Sequence, residues 1–220
     1  MGCEYVTVNA VLSKLKPAYK DQRRYQVRQH TVCVFLALGA NPLLELPVGH
    51  AVPAAVRRTD DLMIGYLMLD ALIGNQDRHD ENWGFVVCVG PPRHILLAPT
   101  FDHASSLGRN ETDENRLKRL TNRDRGGSVE AYAERARSGF FETPAARRTM
   151  TTLDAFMVAA KVRPGASRYW IEALSGLGSS DFEFIFDQIP KPLIMTLARE
   201  FALRMLEANK RRLLEAVSRR

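Results

Sequence analysis

The segment Leu62–Gly74, LMIGYLMLDALIG, limits what this chain can fold into more than any other stretch. Its apolar residues cover nearly every face of a helix, so the helix must be enclosed on all sides. Asp60 or Asp61 can cap its start, and Gly74 suits its end. A helix buried in this way lies in the middle of a fold, and the chain that leaves it starts from the interior. That chain is polar: Gly74-Asn75-Gln76-Asp77-Arg78-His79-Asp80-Glu81-Asn82. Two short apolar runs follow, Trp83–Val89 and His94–Ala98, separated by Gly90-Pro91-Pro92, and they predict a β-hairpin. Thr100-Phe101-Asp102-His103 comes directly after it.

The rest of the chain supports a mainly helical domain. Its 220 residues, 45% hydrophobic and 25% charged, match a globular protein large enough to build a core unaided. Residues 3–12 are β-branched and partly alternating, which predicts a strand or an extended entry segment. A basic, turn-prone stretch, KLKPAYKDQRRYQVRQ, is expected to be exposed. Thr31–Leu38 predicts a short helix stopped by Gly39, Asn41 and Pro42, and a loop runs from Pro47 to Pro53. Helical signals dominate from Asp113 onward. Ser128, Thr152, Ser167 and Ser180 are candidate caps of four helices, and Leu193–Val217 predicts the last one. Trp83 and Phe101 are expected to anchor the hairpin in the core, and Ser105 and Ser106 to shape the turn before Leu107.

Composition excludes several classes. The three cysteines, Cys3, Cys33 and Cys88, are odd in number and widely spaced, so neither a disulfide framework nor a zinc pattern is expected. A reducing cytoplasm is the simplest setting. The N-terminus lacks the features of a signal peptide, and Val6 stands where a myristoylation signal wants Ser or Thr. No stretch approaches the ~20 apolar residues of a membrane span. The net charge of +6 favours anionic partners in general and names none.

The chemistry lies at the hairpin mouth. With the turn centred on Pro91 and Pro92, facing residues have numbers that sum to about 183. Asn82 then faces Phe101, which brings Asp102 back to the loop that holds Asn82. A carboxylate and an amide oxygen meeting there are hard oxygen ligands suited to Mg²⁺. Asp77 looks into the same site as a second carboxylate. Phosphoryl transfer uses such a set, one Asp orienting the attacking hydroxyl while an Asn and another Asp hold the metal on the nucleotide phosphates. The order is that of a protein-kinase catalytic loop and its metal-binding Asp. A bland alternative pairs Asp102 with Arg78 as a structural ion pair. No second His–x–Asp or His–Glu–x–x–His set supports a metallohydrolase.

DALIGNQDRHDENWGFVV followed by LLAPTFDHASSLG resembles the C-terminal half of HipA-like kinases, bacterial serine/threonine kinases distantly related to phosphatidylinositol kinases. The resemblance runs from roughly residue 20 to the end, and its GN-x-DRH-x-x-NW and AP-x-[FY]D-x-x-SSLG parts are specific. It implies a protein-kinase-like C-lobe over residues 1–220, mainly α within an α+β class, with a small hairpin beside the catalytic loop. It further implies Asp77 as catalytic base, His79 as a support of the loop by hydrogen bonding, Asn82 and Asp102 as Mg²⁺ ligands, and ATP and a protein hydroxyl as substrates.

A kinase also needs a nucleotide-covering lobe with a phosphate-cradling loop and a strand lysine. Neither is visible before Asp77: the glycines are scattered, and Lys14, Lys16 and Lys20 sit in the turn-prone stretch. The strand at Glu4–Leu12 can be an interlobe hinge, with the missing lobe encoded upstream of Met1, supplied by another chain, or lost. The last case describes a pseudokinase or truncated regulatory module. A rival from another class is a basic nucleic-acid-binding component of a toxin–antitoxin assembly, in which an antitoxin chain would be a partner. Direct nucleic-acid contact is the weaker expectation, since the C-terminal arginines suit a solvated helix end.

Overall fold

The computed structural model describes residues 2–15, 19, 27–49 and 51–218. The helix expected to be central spans Thr59–Ile73 (α3), and Met63, Ile64 and Leu67 within it are fully enclosed. Around it pack α2 (Val32–Gly39), α6 (Thr152–Val162), α7 (Pro164–Ser175) and α9 (Thr196–Ser218). Phe35 of α2 and Phe156 of α6 complete this core. Asp60 and Asp61 stand in the first turn of α3, where negative charge suits the helix end. Neither is the cap: Arg58 holds that position, and its guanidinium grips the Asp60 carboxylate at 2.8 Å. Gly74 ends α3 in the left-handed region (φ 62°), a conformation open to glycine at no steric cost.

The main sheet is small, and the chain just beyond it meets α3 where Tyr66 Oη donates to the Ala98 carbonyl at 3.2 Å. Its strands are β1 (Gly2–Thr7), β2 (Leu44–Glu45), β3 (Gly84–Val89) and β4 (His94–Leu97), in the order β1-β3-β4-β2. β3 and β4 form the expected hairpin, with Phe85 opposite Leu97 and Cys88 opposite His94, so facing numbers sum to 182, one less than expected. β1 pairs antiparallel with β3 from Gly2–Val89 to Thr7–Gly84, and β2 lies parallel to β4. The strand expected over residues 3–12 is therefore shorter. At Val8 the chain turns into α1 (Val8–Leu15), whose Val8 and Leu12 are buried.

Cys3 and Cys88 face each other in the β1–β3 ladder and form a disulfide. This corrects the reading of the cysteines: register, and not spacing along the chain, decides which of them meet. Cysteine spacing thus gives no ground for placing the chain in a reducing compartment. No helix among the described residues is long and apolar enough to cross a membrane.

The second half is helical with one interruption. After α4 (Asp113–Thr121), Ser128 caps α5 (Val129–Glu134) as expected, but the helix stops early. Arg137–Phe141 becomes β5 and pairs with β6 (Thr149–Thr151). The helix expected after Ser128 extends to residue 138, yet its last two residues open this strand, on which Phe140 and Phe141 are buried. Three further caps move. Thr151, not Thr152, caps α6; Pro164 opens α7, so Ser167 lies inside it and is buried; Gly178 precedes α8 (Ser179–Asp187), with Asp181 accepting its N–H at 2.7 Å. The basic stretch falls mostly on residues 16–18 and 20–26, outside the described residues, while Tyr19 is buried.

A buried histidine joins the two halves. His30 Nδ1 donates to the Gly139 carbonyl at 2.9 Å, and its Nε2 accepts from the Trp83 indole at 3.0 Å. Phe140 stacks on the ring at 4.1 Å. Burial holds His30 neutral and lowers its pKa to about 4. The unfolded chain takes up that proton near pH 6.5 and the folded chain does not, so this group removes stability as pH falls from about 6.5 toward 4. Between pH 7.5 and 5 the loss should be about 2 kcal/mol, read from urea midpoints. A His30→Gln variant should show that much less pH dependence; an equal slope would place the titrating group elsewhere.

Candidate functional site

The loop leaving α3 is organised by a buried ion pair. Asp70, in the last turn of the apolar helix, is buried and needs a cation. Arg78 supplies it, with Nε at 2.8 Å from one carboxylate oxygen and Nη2 at 2.9 Å from the other. Such a bidentate pair fixes orientation as well as charge. Burial disfavours the Arg78 charge, but Asp70 outweighs it and raises the pKa. The other donors of the same guanidinium reach the Asn82 carbonyl at 2.8 Å, Thr100 Oγ1 at 2.6 Å and His103 Nε2 at 3.1 Å. Since arginine only donates, His103 Nε2 accepts and its ring proton sits on Nδ1. Burial, aided by the Arg78 charge, lowers the His103 pKa.

Arg78 therefore makes the connection that cross-strand pairing was expected to make. Ladder contact between the arms ends where Ala98 N–H meets the Gly84 carbonyl at 3.0 Å. Beyond that point the Thr100–His103 segment is drawn to the loop by the guanidinium. Two backbone bonds reinforce it, Gln76 N–H to the Ser105 carbonyl at 3.2 Å and Leu107 N–H to the Ile73 carbonyl at 2.9 Å. Ser106 also bonds the His103 carbonyl, which agrees with the turn role expected of it.

Each candidate residue can now be placed. Asp77 is partly exposed, and its backbone N–H is held by Asn75 Oδ1 at 3.1 Å while Asn75 Nδ2 grips Asp70 at 2.8 Å. His79 is buried with Nε2 3.5 Å from the Asp77 carboxylate, and its Nδ1 accepts from Glu81 N–H at 3.2 Å. Asn82 is buried, and its amide nitrogen donates to the Asp77 carbonyl at 2.8 Å, which leaves Oδ1 as the available face. Asp102 is exposed, in left-handed backbone (φ 52°), and makes no hydrogen bond or ion pair among the described residues. The alternative ion pair between Asp102 and Arg78 does not form; Asp70 takes that place. Trp83 is buried as expected, whereas Phe101 is half-buried and packs edge-on against Tyr5 at 5.4 Å.

Among the described residues no group of three or more His, Cys, Asp or Glu converges on a metal position. Mg²⁺ in nucleotide sites uses one or two protein oxygens and takes the rest from phosphates and water, so the Asn82 and Asp102 oxygens are donors of the right kind.

Sequence reasoning missed several contributors. Asp70 carried a signal, a lone carboxylate inside an apolar helix. Gly139 carried none: a Cβ there would lie 2.4 Å from the Arg78 carbonyl, so β5 presses directly on the loop backbone. Tyr5 also joins from β1, and burial raises its pKa to about 12.

The fold is similar to that of a solved protein. Over 97% of the chain, the structure superposes with TM-score 0.61 on 69% of the crystal structure of the Helicobacter pylori proinflammatory kinase CtkA. The fold is kinase-like. Sequence identity is 18%, so the likeness is one of fold. No protein-family profile matches the chain, and no curated protein matches it in sequence.

Two variants test the construction. Arg78→Met leaves Asp70 charged and buried without its partner, and should cost about 3–5 kcal/mol in urea unfolding. Arg78→Lys should recover little, because one ammonium cannot replace the fork. Gly139→Ala should cost about 1–3 kcal/mol through overpacking, with amide exchange accelerated in residues 77–82. Wild-type exchange there would show that the strand does not brace the loop.

Proposed function

We propose that the chain is the C-lobe of a Mg²⁺-dependent serine/threonine protein kinase of the HipA-like type, transferring the ATP γ-phosphate to a protein hydroxyl. The observation that carries this reading is the Arg78-centred tie, which sets the Asp77–Asn82 loop beside the Thr100–His103 segment within a kinase-like fold. In this reading Asp77 orients the acceptor hydroxyl and takes its proton. The 3.5 Å approach of His79 gives the Asp77 carboxylate a neighbour that restricts its orientation. Asn82 Oδ1 and the Asp102 carboxylate hold Mg²⁺, which supplies charge neutralisation on the phosphates.

Asp102 is suited to this task by its exposure and its lack of internal partners. Asn82 is suited to it because its amide nitrogen is committed to the loop and its oxygen is not. A nucleotide-covering lobe, on the same or a second polypeptide, would complete the enclosure of ATP. The 220-residue chain alone should then bind Mg²⁺–ATP weakly.

The test is phosphate transfer from labelled ATP to a serine/threonine protein acceptor, with a β-rich lobe supplied as a second chain. Asp77→Asn and Asp102→Asn should each lower the rate by about 10²–10⁴ with the fold retained by circular dichroism. The Asp102→Asn variant should also require more Mg²⁺. Micromolar ATP binding by the isolated chain would contradict the proposed division of labour, and full activity in Asp77→Asn would remove its base. A pseudokinase would show Mg²⁺–ATP binding without transfer in the parent protein.

A further inference from the structure

A second cleft lies on another part of the surface, between the α4–α5 connection and the C-terminal half of α9. Its volume is about 450 Å³, in the range of small-ligand sites. Five arginines line it: Arg123 and Arg125 from the connection, and Arg204, Arg211 and Arg212 from α9. Arg204 is neutralised by Glu130 at 2.7 Å. The other four make no ion pair among the described residues.

Arg212 is the informative member. It is half-buried, and its guanidinium is anchored by Asn209 Oδ1 at 2.9 Å, itself a fully enclosed side chain tied to the Leu72 carbonyl at 3.0 Å. Burial lowers the Arg212 pKa, and the more distant Glu134 and Asp154 do not restore it. A held, partly desolvated cation with no carboxylate of the described residues within ion-pair distance is a site prepared for an anion from outside. Arg211, next to it on α9, and Arg123 and Arg125 across the cleft are exposed and can close around that anion.

The same walls limit what the anion can be. Asp124, Glu130, Glu134 and Glu215 also border the cleft. A nucleic-acid backbone brings a run of phosphates and would meet these carboxylates; a single compact anion need not. Guanidinium forks match phosphate oxygens in pairs, a geometry that a monatomic anion such as chloride does not offer.

We propose that this cleft binds a single phosphate group, of the kind carried on a phosphorylated serine or threonine side chain. The site is independent of the kinase reading and needs no catalysis to be seen.

Calorimetric titration of the full chain at fixed ionic strength tests it, with N-acetyl-phosphoserine amide, its unphosphorylated counterpart and inorganic phosphate as probes. The phosphorylated probe should bind and the unphosphorylated one should not. The double variant Arg123→Ala/Arg211→Ala removes exposed side chains only, and should weaken binding at least tenfold, whereas Arg57→Ala on another surface should leave it unchanged. Tighter binding of the phosphoserine probe than of inorganic phosphate identifies the side chain as the source; the reverse order identifies the free anion. Binding unaffected by the double variant, equal binding of the unphosphorylated probe, or no heat with either phosphate probe would overturn the proposal. So would arginine-dependent binding of duplex DNA alone.

Discussion

The buried pair of Asp70 and Arg78 is the constraint on which the rest of the site depends. Neither residue can stay charged in the interior alone, because desolvation of one ion costs several kcal/mol. Once Asp70 is placed in the last turn of α3, Arg78 must return to that turn. The loop is thereby folded back under the helix end. The guanidinium still has donors to spare, and these take the Asn82 carbonyl at one side and Thr100 at the other. A single side chain thus sets the distance between two segments separated by a hairpin. An apolar substitute could fill the volume, but it could not specify the orientation of three separate acceptors.

Much of this was legible in the sequence, though not its mechanism. The apolar run from Leu62 announced a central helix, and the Pro91-Pro92 turn announced the hairpin within one residue of its register. The motif positions drew attention to the loop that leaves this helix. The alternative pairing of Arg78 with Asp102 rested on their nearness in the imagined hairpin; the partner is Asp70, which lies one element back in an otherwise apolar helix. Burial decides between them: the enclosed carboxylate needs the cation, and the exposed one is satisfied by water. β5 was missed for a related reason. Its short run of Ser, Gly and Phe carries no period-two signal, and it is a strand because Gly139 allows it against the loop backbone. The Cys3–Cys88 bond depended on the register of β1, which no spacing rule supplies.

The N-terminal segment takes a part that a hinge reading alone would not give it. Where β1 ends, Val8 N–H bonds the Trp83 carbonyl at 3.1 Å and Asn9 N–H bonds the Asp80 carbonyl at 3.0 Å. The turn from β1 into α1 therefore satisfies backbone acceptors of the loop that would otherwise be buried without partners. Tyr19 adds a hydrogen bond to the Asp80 carboxylate, and Tyr5 packs on Phe101 beside Asp102. Both flanks of the site are thus held by residues before position 20. Motion of this segment would be transmitted to the loop and to the Asp102 turn together.

A division between support and chemistry follows from burial. Asp70, Asn75, Arg78 and His79 are enclosed, and Asp70 is held by both Asn75 and Arg78. Asp102 keeps an exposed carboxylate, which avoids the desolvation cost and leaves its oxygens available to a cation, while Asp77 is partly exposed beside His79. Asn82 stands at the boundary, with its nitrogen turned inward to the Asp77 carbonyl. A site built in this way can bind and release highly charged ligands without disturbing its frame, since no interior charge is left unpaired when the ligand departs. The left-handed backbone at Asp102 belongs to the same logic. Arg78 holds Thr100 and His103 on either side of the Phe101–Asp102 turn while its ion pair is made with Asp70, so the strongest cation nearby holds the segment without consuming the Asp102 charge.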